Sequence, residues 1–178
     1  MGTTDAFLVL KWDRPLTELP RFADVASHPT FEADRRGPWW VFGIDYADVG
    51  LELEQEPVES LGPLVQETGA PAMVLYCYDS GTVSVTGLSK EYGAWRTCMH
   101  RESMRGYREF AGECEPFDEV FLDVPQSVHF AQLWAHAAGT VPDAGRIGDV
   151  LTKHTLFAED LIDELLDALG LPARQPAG

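Results

Sequence analysis

Two apolar segments joined by a short turn constrain the fold more than any other part of the sequence. Residues 72–79 (AMVLYCYD) and 82–88 (TVSVTGL) are rich in β-branched and aromatic side chains, which favour strands. The intervening Asp79-Ser80-Gly81 has the composition of a tight turn. The sequence therefore predicts a β-hairpin, and residues 93–101 (GAWRTCMHR) predict a third antiparallel strand that extends it into a meander.

Short apolar or aromatic runs predict further strands on both sides of this meander. The run of residues 39–46 is the most aromatic segment of the chain and follows a turn at Gly37-Pro38. The predicted strands are residues 6–12 (AFLVLKW), 39–46 (WWVFGIDY), 51–53 (LEL) and 117–123 (FDEVFLD).

Apolar residues at helical spacing predict a second set of elements. The clearest is residues 156–169 (LFAEDLIDELLDAL), with Thr155 as its N-cap and Gly170 just beyond its end. The predicted helices are residues 15–28, 58–68, 125–138, 147–151 and 156–169.

Strands dominate before residue 124 and helices dominate after it, which favours an α+β fold over a doubly wound parallel sheet. We expect a mainly antiparallel sheet in the first two thirds, with helices from the C-terminal third packed on it. A chain of 178 residues fits one domain, which we place at residues 1–171, followed by a flexible tail at residues 172–178.

The three cysteines and the apolar pattern indicate a compartment. Cys77, Cys98 and Cys114 are odd in number and lack CxxC spacing, which argues against a disulfide framework or a zinc ribbon. The sequence shows no leader with a basic region before an apolar run, and no apolar segment near the ~20 residues that span a bilayer. We expect a cytoplasmic protein with reduced thiols, no cofactor and no metal.

Negative charge is the strongest functional signal. The chain has 29 acidic and 13 basic residues, a formal charge of −16, and residues 37–89 contain eight carboxylates and no Lys or Arg. Such a field repels phosphate and anionic lipid and attracts cationic surfaces. We therefore expect a basic protein partner, and neither nucleic acid nor membrane. The basic segment 90–108 is expected to pair with the protein's own acids.

Two groups of carboxylates are the predicted partner-binding residues. One group lies near the aromatic segment 39–46, and the other lines the last predicted helix opposite its apolar stripe, with no base on that helix. The alternative is that these faces only keep the protein soluble. The predicted residues are Glu52, Glu54, Glu56, Glu159, Asp160, Asp163, Glu164 and Asp167.

A small enzyme is the competing hypothesis. Cys98, His100 and Glu102 alternate, so a strand through them would project all three from one face. A thiol beside an imidazole can act as a nucleophile, and Cys and His can also bind a metal for hydrolysis. The surrounding sequence matches no catalytic motif, and His129 and His136 lie seven apart, too far to share an ion unaided.

The charge and the lack of motifs favour a binding protein over an enzyme. In charge and size the chain is similar to small acidic α+β immunity proteins, which are single-domain, cytoplasmic and poor in motifs. That similarity implies an inhibitor that neutralises a basic bacterial toxin, with carboxylates pairing to the Lys and Arg that otherwise grip phosphate. Adaptation to high salt is a third interpretation, which the clustering of the acids disfavours.

Overall fold

An antiparallel sheet is the central layer of the protein. In the computed structural model, which describes residues 5–27, 33–44, 51–52, 54 and 56–174, the sheet has six strands in the order β2-β3-β1-β4-β5-β6. Leu8 of β1 lies opposite Phe42 of β3 and Val74 of β4, which fixes the register at the centre. The strands are β1 (Asp5–Lys11), β2 (Ala33–Arg36), β3 (Trp39–Ile44), β4 (Ala72–Tyr78), β5 (Thr82–Ser89) and β6 (Gly93–Met99).

Helices follow most of the strands, and the prediction of an α+β fold is confirmed. Two 3₁₀ turns, Leu16–Glu18 and Pro20–Phe22, precede the first short helix. The helices are α1 (Ala23–Ala26), α2 (Pro57–Thr68), α3 (Arg101–Ala111), α4 (Phe117–Val120), α5 (Val124–Ala138), α6 (Ala144–Thr152) and α7 (Asp160–Ala168).

Both faces of the sheet are covered. On one face α5, α6 and α7 pack through Trp134, Ile147 and Leu165 against the strands. On the other face α2, α3 and the 3₁₀ turns form a second core that includes Leu61 and Met104. Every residue of β4 is buried, which explains why its sequence is a continuous apolar run instead of an alternating one.

Several local predictions need correction. Residues 117–123 are not a strand: Pro116 precedes one helical turn, α4. Residues 15–28 hold the 3₁₀ turns and α1 instead of one helix, and residues 51 and 52 belong to no strand. The hairpin of β2 with β3 was not predicted. Residues 45–46, residue 53 and the end of the predicted tail lie outside the described residues.

The last helix begins later than its periodicity indicates. α7 starts at Asp160 with Glu159 as N-cap, so Thr155 does not cap it, and Leu156 and Phe157 are exposed instead of lying in its apolar stripe. Its end follows the prediction, because Gly170 has a φ of 77° and stops the helix.

Candidate functional site

Two acidic segments far apart in the sequence lie at the same end of the sheet, on its opposite faces. We call this end, which carries the β4–β5 turn at residues 78–81, the turn end. Tyr76 Oη donates to the carboxylate of Glu54 at 3.1 Å, which places the start of α2 there. Ser80 Oγ donates to Glu159 Oε1 at 2.6 Å, which places the start of α7 there as well.

The carboxylates at the turn end are largely turned to solvent. The segment before α2 is closed by a hydrogen bond from Glu56 N–H to Glu52 O at 2.8 Å, and Glu52 N–H donates to Ser60 Oγ at 3.0 Å. Within the described residues, Glu52, Glu56 and Asp160 are exposed, and no Lys or Arg lies within 4 Å of their carboxylates.

Basic residues concentrate at the opposite end of the sheet, around the β2–β3 and β5–β6 turns. Lys11 ends β1, Arg35 and Arg36 end β2, and Lys90 lies between β5 and β6. Near the turn end, Arg101 is occupied, because it donates to Leu122 O at 2.8 Å and stacks on the Phe117 ring. The structure therefore places four basic residues at the opposite end, while Arg101 and Lys153, near the turn end, are paired within the protein.

The acidic face of α7 is mostly used within the protein. Arg36, which is 3% exposed, donates to Asp163 and Asp167, both at 2.6 Å. Lys153 Nζ lies 2.6 Å from Glu164 Oε1. The helix itself carries no base, as the sequence indicated, but cations from β2 and from the residue after α6 neutralise three of its five predicted carboxylates.

The buried Arg36 guanidinium is held in its charged form by this arrangement. Burial lowers the pKa of Arg36, but the hydrogen bonds to Asp167 and Asp163 and the charges of both carboxylates more than offset it. The net pKa lies above the usual value. These two carboxylates therefore join β2 to α7, and their role in binding a partner stays a prediction.

The segment before α7 is clamped onto the β4–β5 turn by His100. Thr155 N–H donates to His100 Nε2 at 3.1 Å, so that nitrogen carries no proton. The other ring nitrogen, Nδ1, then carries the proton and donates to Gly81 O at 3.1 Å. A third hydrogen bond, from Ala158 N–H to Ser80 O at 2.9 Å, completes the clamp.

The backbone at the turn end enters the left-handed region. Among the described residues, the non-glycine residues with positive φ are Asp79 (49°), Ser80 (55°) and His100 (53°), and all three lie here. Gly81 N–H donates to Tyr78 O at 2.9 Å, which closes a β-turn with Asp79 and Ser80 as its central residues, and positive φ at both central residues is typical of type I′ hairpin turns. His100 occupies the left-handed region where β6 ends and α3 begins.

The clamped segment presents two exposed apolar side chains that the sequence analysis placed in the core. Leu156 is 84% exposed and Phe157 is 47% exposed, whereas the next residue, Ala158, is fully buried. The helical periodicity hid this arrangement, because Leu156 and Phe157 fall in register with the apolar stripe of α7. The contact of Thr155 with His100, 55 residues away, decides the outcome and has no local signal.

The alternating Cys98, His100 and Glu102 do not project together from one strand face, because β6 ends at Met99. Cys98 is fully buried, and burial raises the pKa of its thiol to about 12 despite the opposing charges of nearby arginines. His100 is engaged by two backbone groups, and Glu102 is exposed near Arg105.

No metal centre is formed by the described residues, since none of their His, Cys, Asp and Glu side chains gather in groups of three or more. His129 is exposed and contacts the ring of Phe130, and His136 is exposed as well. These positions give no support to a metal-dependent hydrolase.

The basic segment 90–108 pairs in part with the protein's own acids, as predicted. Arg108 forms an ion pair with Glu113, and Arg105 lies 3.6 Å from Asp118. The sequence analysis did not foresee that arginines also stack on two phenylalanine rings of the α4 region. The stacked pairs are Arg101 and Arg105 on Phe117, and Arg96 and Arg108 on Phe121.

Comparison with protein-family models, with curated proteins and with solved structures finds no match to this chain. Among the residues that the structure describes, no helix has the length and apolar character needed to cross a bilayer.

Proposed function

We propose that this chain is a cytoplasmic, acidic protein-binding module whose turn end docks on a basic protein. The observation that carries the proposal is the placement of two acidic segments at the turn end, one on each face of the sheet, with Glu52, Glu56 and Asp160 exposed there. Lys11, Arg35 and Arg36, three basic residues of the sheet, lie at its other end. A partner with a positive surface is therefore attracted and oriented by the same field.

The sharpest form of this proposal is an inhibitor of a basic toxin. Proteins that act on nucleic acids present Lys and Arg to phosphate groups. Carboxylates held in a fixed array compete for those cations and block the same surface. Electrostatic steering speeds the encounter, so inhibition by this route is fast and weakens as salt is added.

Charge reversal at the turn end tests the proposal. The variant carries Glu52→Lys, Glu56→Lys and Asp160→Lys, three exposed residues whose carboxylates lack a described cation partner. Asp163 and Asp167 are excluded because their reversal would break the ion pairs to Arg36. The wild type and the variant are immobilised, source-cell lysate is passed over both at low and high salt, and the bound proteins are identified.

A matched control has the same change of net charge at the opposite end of the sheet, with Asp13→Lys, Glu67→Lys and Glu91→Lys, all exposed. We expect the wild type and the control to retain a basic protein that high salt releases, and the turn-end variant to lose it. With that protein purified, association should be at least about tenfold slower for the turn-end variant at low salt. Equal retention by all three proteins would contradict the proposal.

A further inference from the structure

Two adjacent apolar side chains project from the acidic turn end. Leu156 and Phe157 are 84% and 47% exposed, and they follow one another in the chain. Large apolar residues scattered singly on a surface are ordinary, whereas apolar side chains grouped within a polar rim mark interaction sites. Asp160, exposed and three residues after Phe157, belongs to this rim.

Hydrogen bonds hold the projecting segment on both sides. Thr155 is held by His100, Ala158 N–H is held by Ser80 O, and Thr155 Oγ1 donates to Phe157 O at 2.6 Å, so the backbone on both sides of the pair is fixed. A segment that is already ordered loses little conformational entropy when it binds. The clamp therefore prepares Leu156 and Phe157 for contact with another molecule.

We propose that Leu156 and Phe157 are the apolar anchor that enters a pocket on the basic partner, a pocket rimmed by Lys or Arg. This inference rests on the proposed function and adds the residues that hold the partner after the charges have attracted it. Charge selects this occupant over a second copy of the chain, because two turn ends would place acidic residues against acidic residues on molecules that each carry −16.

Truncation of the anchor tests this proposal on the purified basic protein retained by the wild type. The test variant carries Leu156→Ala and Phe157→Ala, and the control carries Phe110→Ala and Val141→Ala, which are 93% and 86% exposed elsewhere. Calorimetry should show a dissociation constant about thirtyfold higher for the test variant and within about twofold of wild type for the control. Both variants should unfold near the wild-type temperature, because all four side chains are largely exposed.

The outcomes separate this inference from the proposed function. Normal binding by the anchor variant, together with lost binding by the turn-end charge variant, overturns the anchor and leaves the proposed function standing. Normal binding by both variants, or a wild type that retains no salt-sensitive protein, overturns both. Light scattering gives a further outcome. If the wild type is a dimer and the anchor variant is a monomer, Leu156 and Phe157 serve self-association, and the anchor proposal is overturned.

Discussion

At the scale of single residues, burial decides what the thiols of this protein can do. Cys77 and Cys98 are buried and Cys114 is exposed. The thiolate is the reactive form of cysteine, and burial raises the pKa of Cys98 to about 12. Cys98 therefore packs as a small apolar side chain in the core.

Thiol labelling checks this assignment. At pH 8, a thiol with a pKa of about 12 has a thiolate fraction of about 10⁻⁴. We expect the native protein to react rapidly at Cys114 alone, and the two buried cysteines to react only after denaturant is added. The rate of reaction with a chromogenic disulfide reagent measures how accessible and reactive each thiol is. A rapid phase that survives in the Cys114→Ser variant would contradict it.

Tyr78 makes stability depend on alkaline pH. Burial raises its pKa to about 12, against the opposing hydrogen bond with Ser84 and the charge of Arg96. A phenol has a pKa of about 10 in the unfolded chain. Because the pKa of Tyr78 is higher in the folded protein than in the unfolded chain, ionisation of Tyr78 favours unfolding. The contribution of the neutral phenol to stability is therefore fully present below pH 10 and is lost as the pH rises toward 12.

The variant Tyr78→Phe should therefore flatten the pH dependence of the free energy of unfolding above pH 10. The contribution of one such group approaches about 1.4 kcal/mol per pH unit between its two pKa values. Urea titrations at pH 8, 10 and 11 measure the slope. Tyr92→Phe is the control, because Tyr92 is 45% exposed, and its slope should match wild type. An unchanged slope in Tyr78→Phe would be evidence against this account.

At the scale of elements, one buried cation joins an edge strand to the last helix. Arg36 of β2 is 3% exposed, while Asp163 and Asp167 of α7 are 60% and 45% exposed. Loss of the ion pairs therefore affects the two sides unequally. Water can hydrate the carboxylates of Asp163 and Asp167 in place, whereas it cannot reach the buried guanidinium of Arg36.

This difference predicts unequal mutational costs. Replacing both Asp163 and Asp167 by Ala leaves a buried charge without a carboxylate partner and should destabilise the fold by about 3–5 kcal/mol. Arg36→Met leaves two half-exposed carboxylates and should cost less, about 1–2 kcal/mol. Lys153→Met, which breaks the exposed pair with Glu164, should cost under about 1 kcal/mol. Urea unfolding measures the free energy of unfolding of each of the three variants. A larger loss of stability in Arg36→Met than in the double aspartate variant would contradict this prediction.

Sequence patterns predicted the elements that are buried or regularly spaced and missed those that depend on distant contacts. The predictions of β4, β5 and α5 are confirmed, because a continuous apolar run or an apolar set at helical spacing shows directly which side chains are buried. The run FDEVFLD was read as a strand, since its aromatic and β-branched residues favour one, but its phenylalanines stack under arginines of β6 and α3. Short β2 carries two arginines and an aspartate, so it had no strand signal.

At the scale of the whole molecule, the sequence supplied the acidic candidates but not their arrangement. Glu52, Glu54 and Glu56 and the start of α7 are about 100 residues apart, and only the sheet topology brings them to one end. The cation that occupies Asp163 lies 127 residues away from it. The anchor residues were misassigned because a periodic pattern continues past the true start of α7.

The charge of −16 also sets how the whole fold responds to salt. Self-repulsion destabilises a compact, highly charged chain, and salt screens it. We expect the unfolding temperature to rise by a few degrees between 10 and 150 mM NaCl and to change little above that. Calorimetry measures the curve. The control variant with Asp13→Lys, Glu67→Lys and Glu91→Lys should show a smaller rise, while a rise that continues to several molar would favour adaptation to high salt.

The place of β1 in the sheet has a consequence for biosynthesis. β1 pairs with β3 on one side and with β4 on the other, and β4 is completed about 70 residues after β1. At the usual pace of translation, that interval is roughly 3–14 s. During this interval the nascent chain exposes the apolar strand β1 with one edge unpaired. A strand that lies at the centre of the finished sheet is therefore also the one that most needs protection from aggregation while it is on the ribosome.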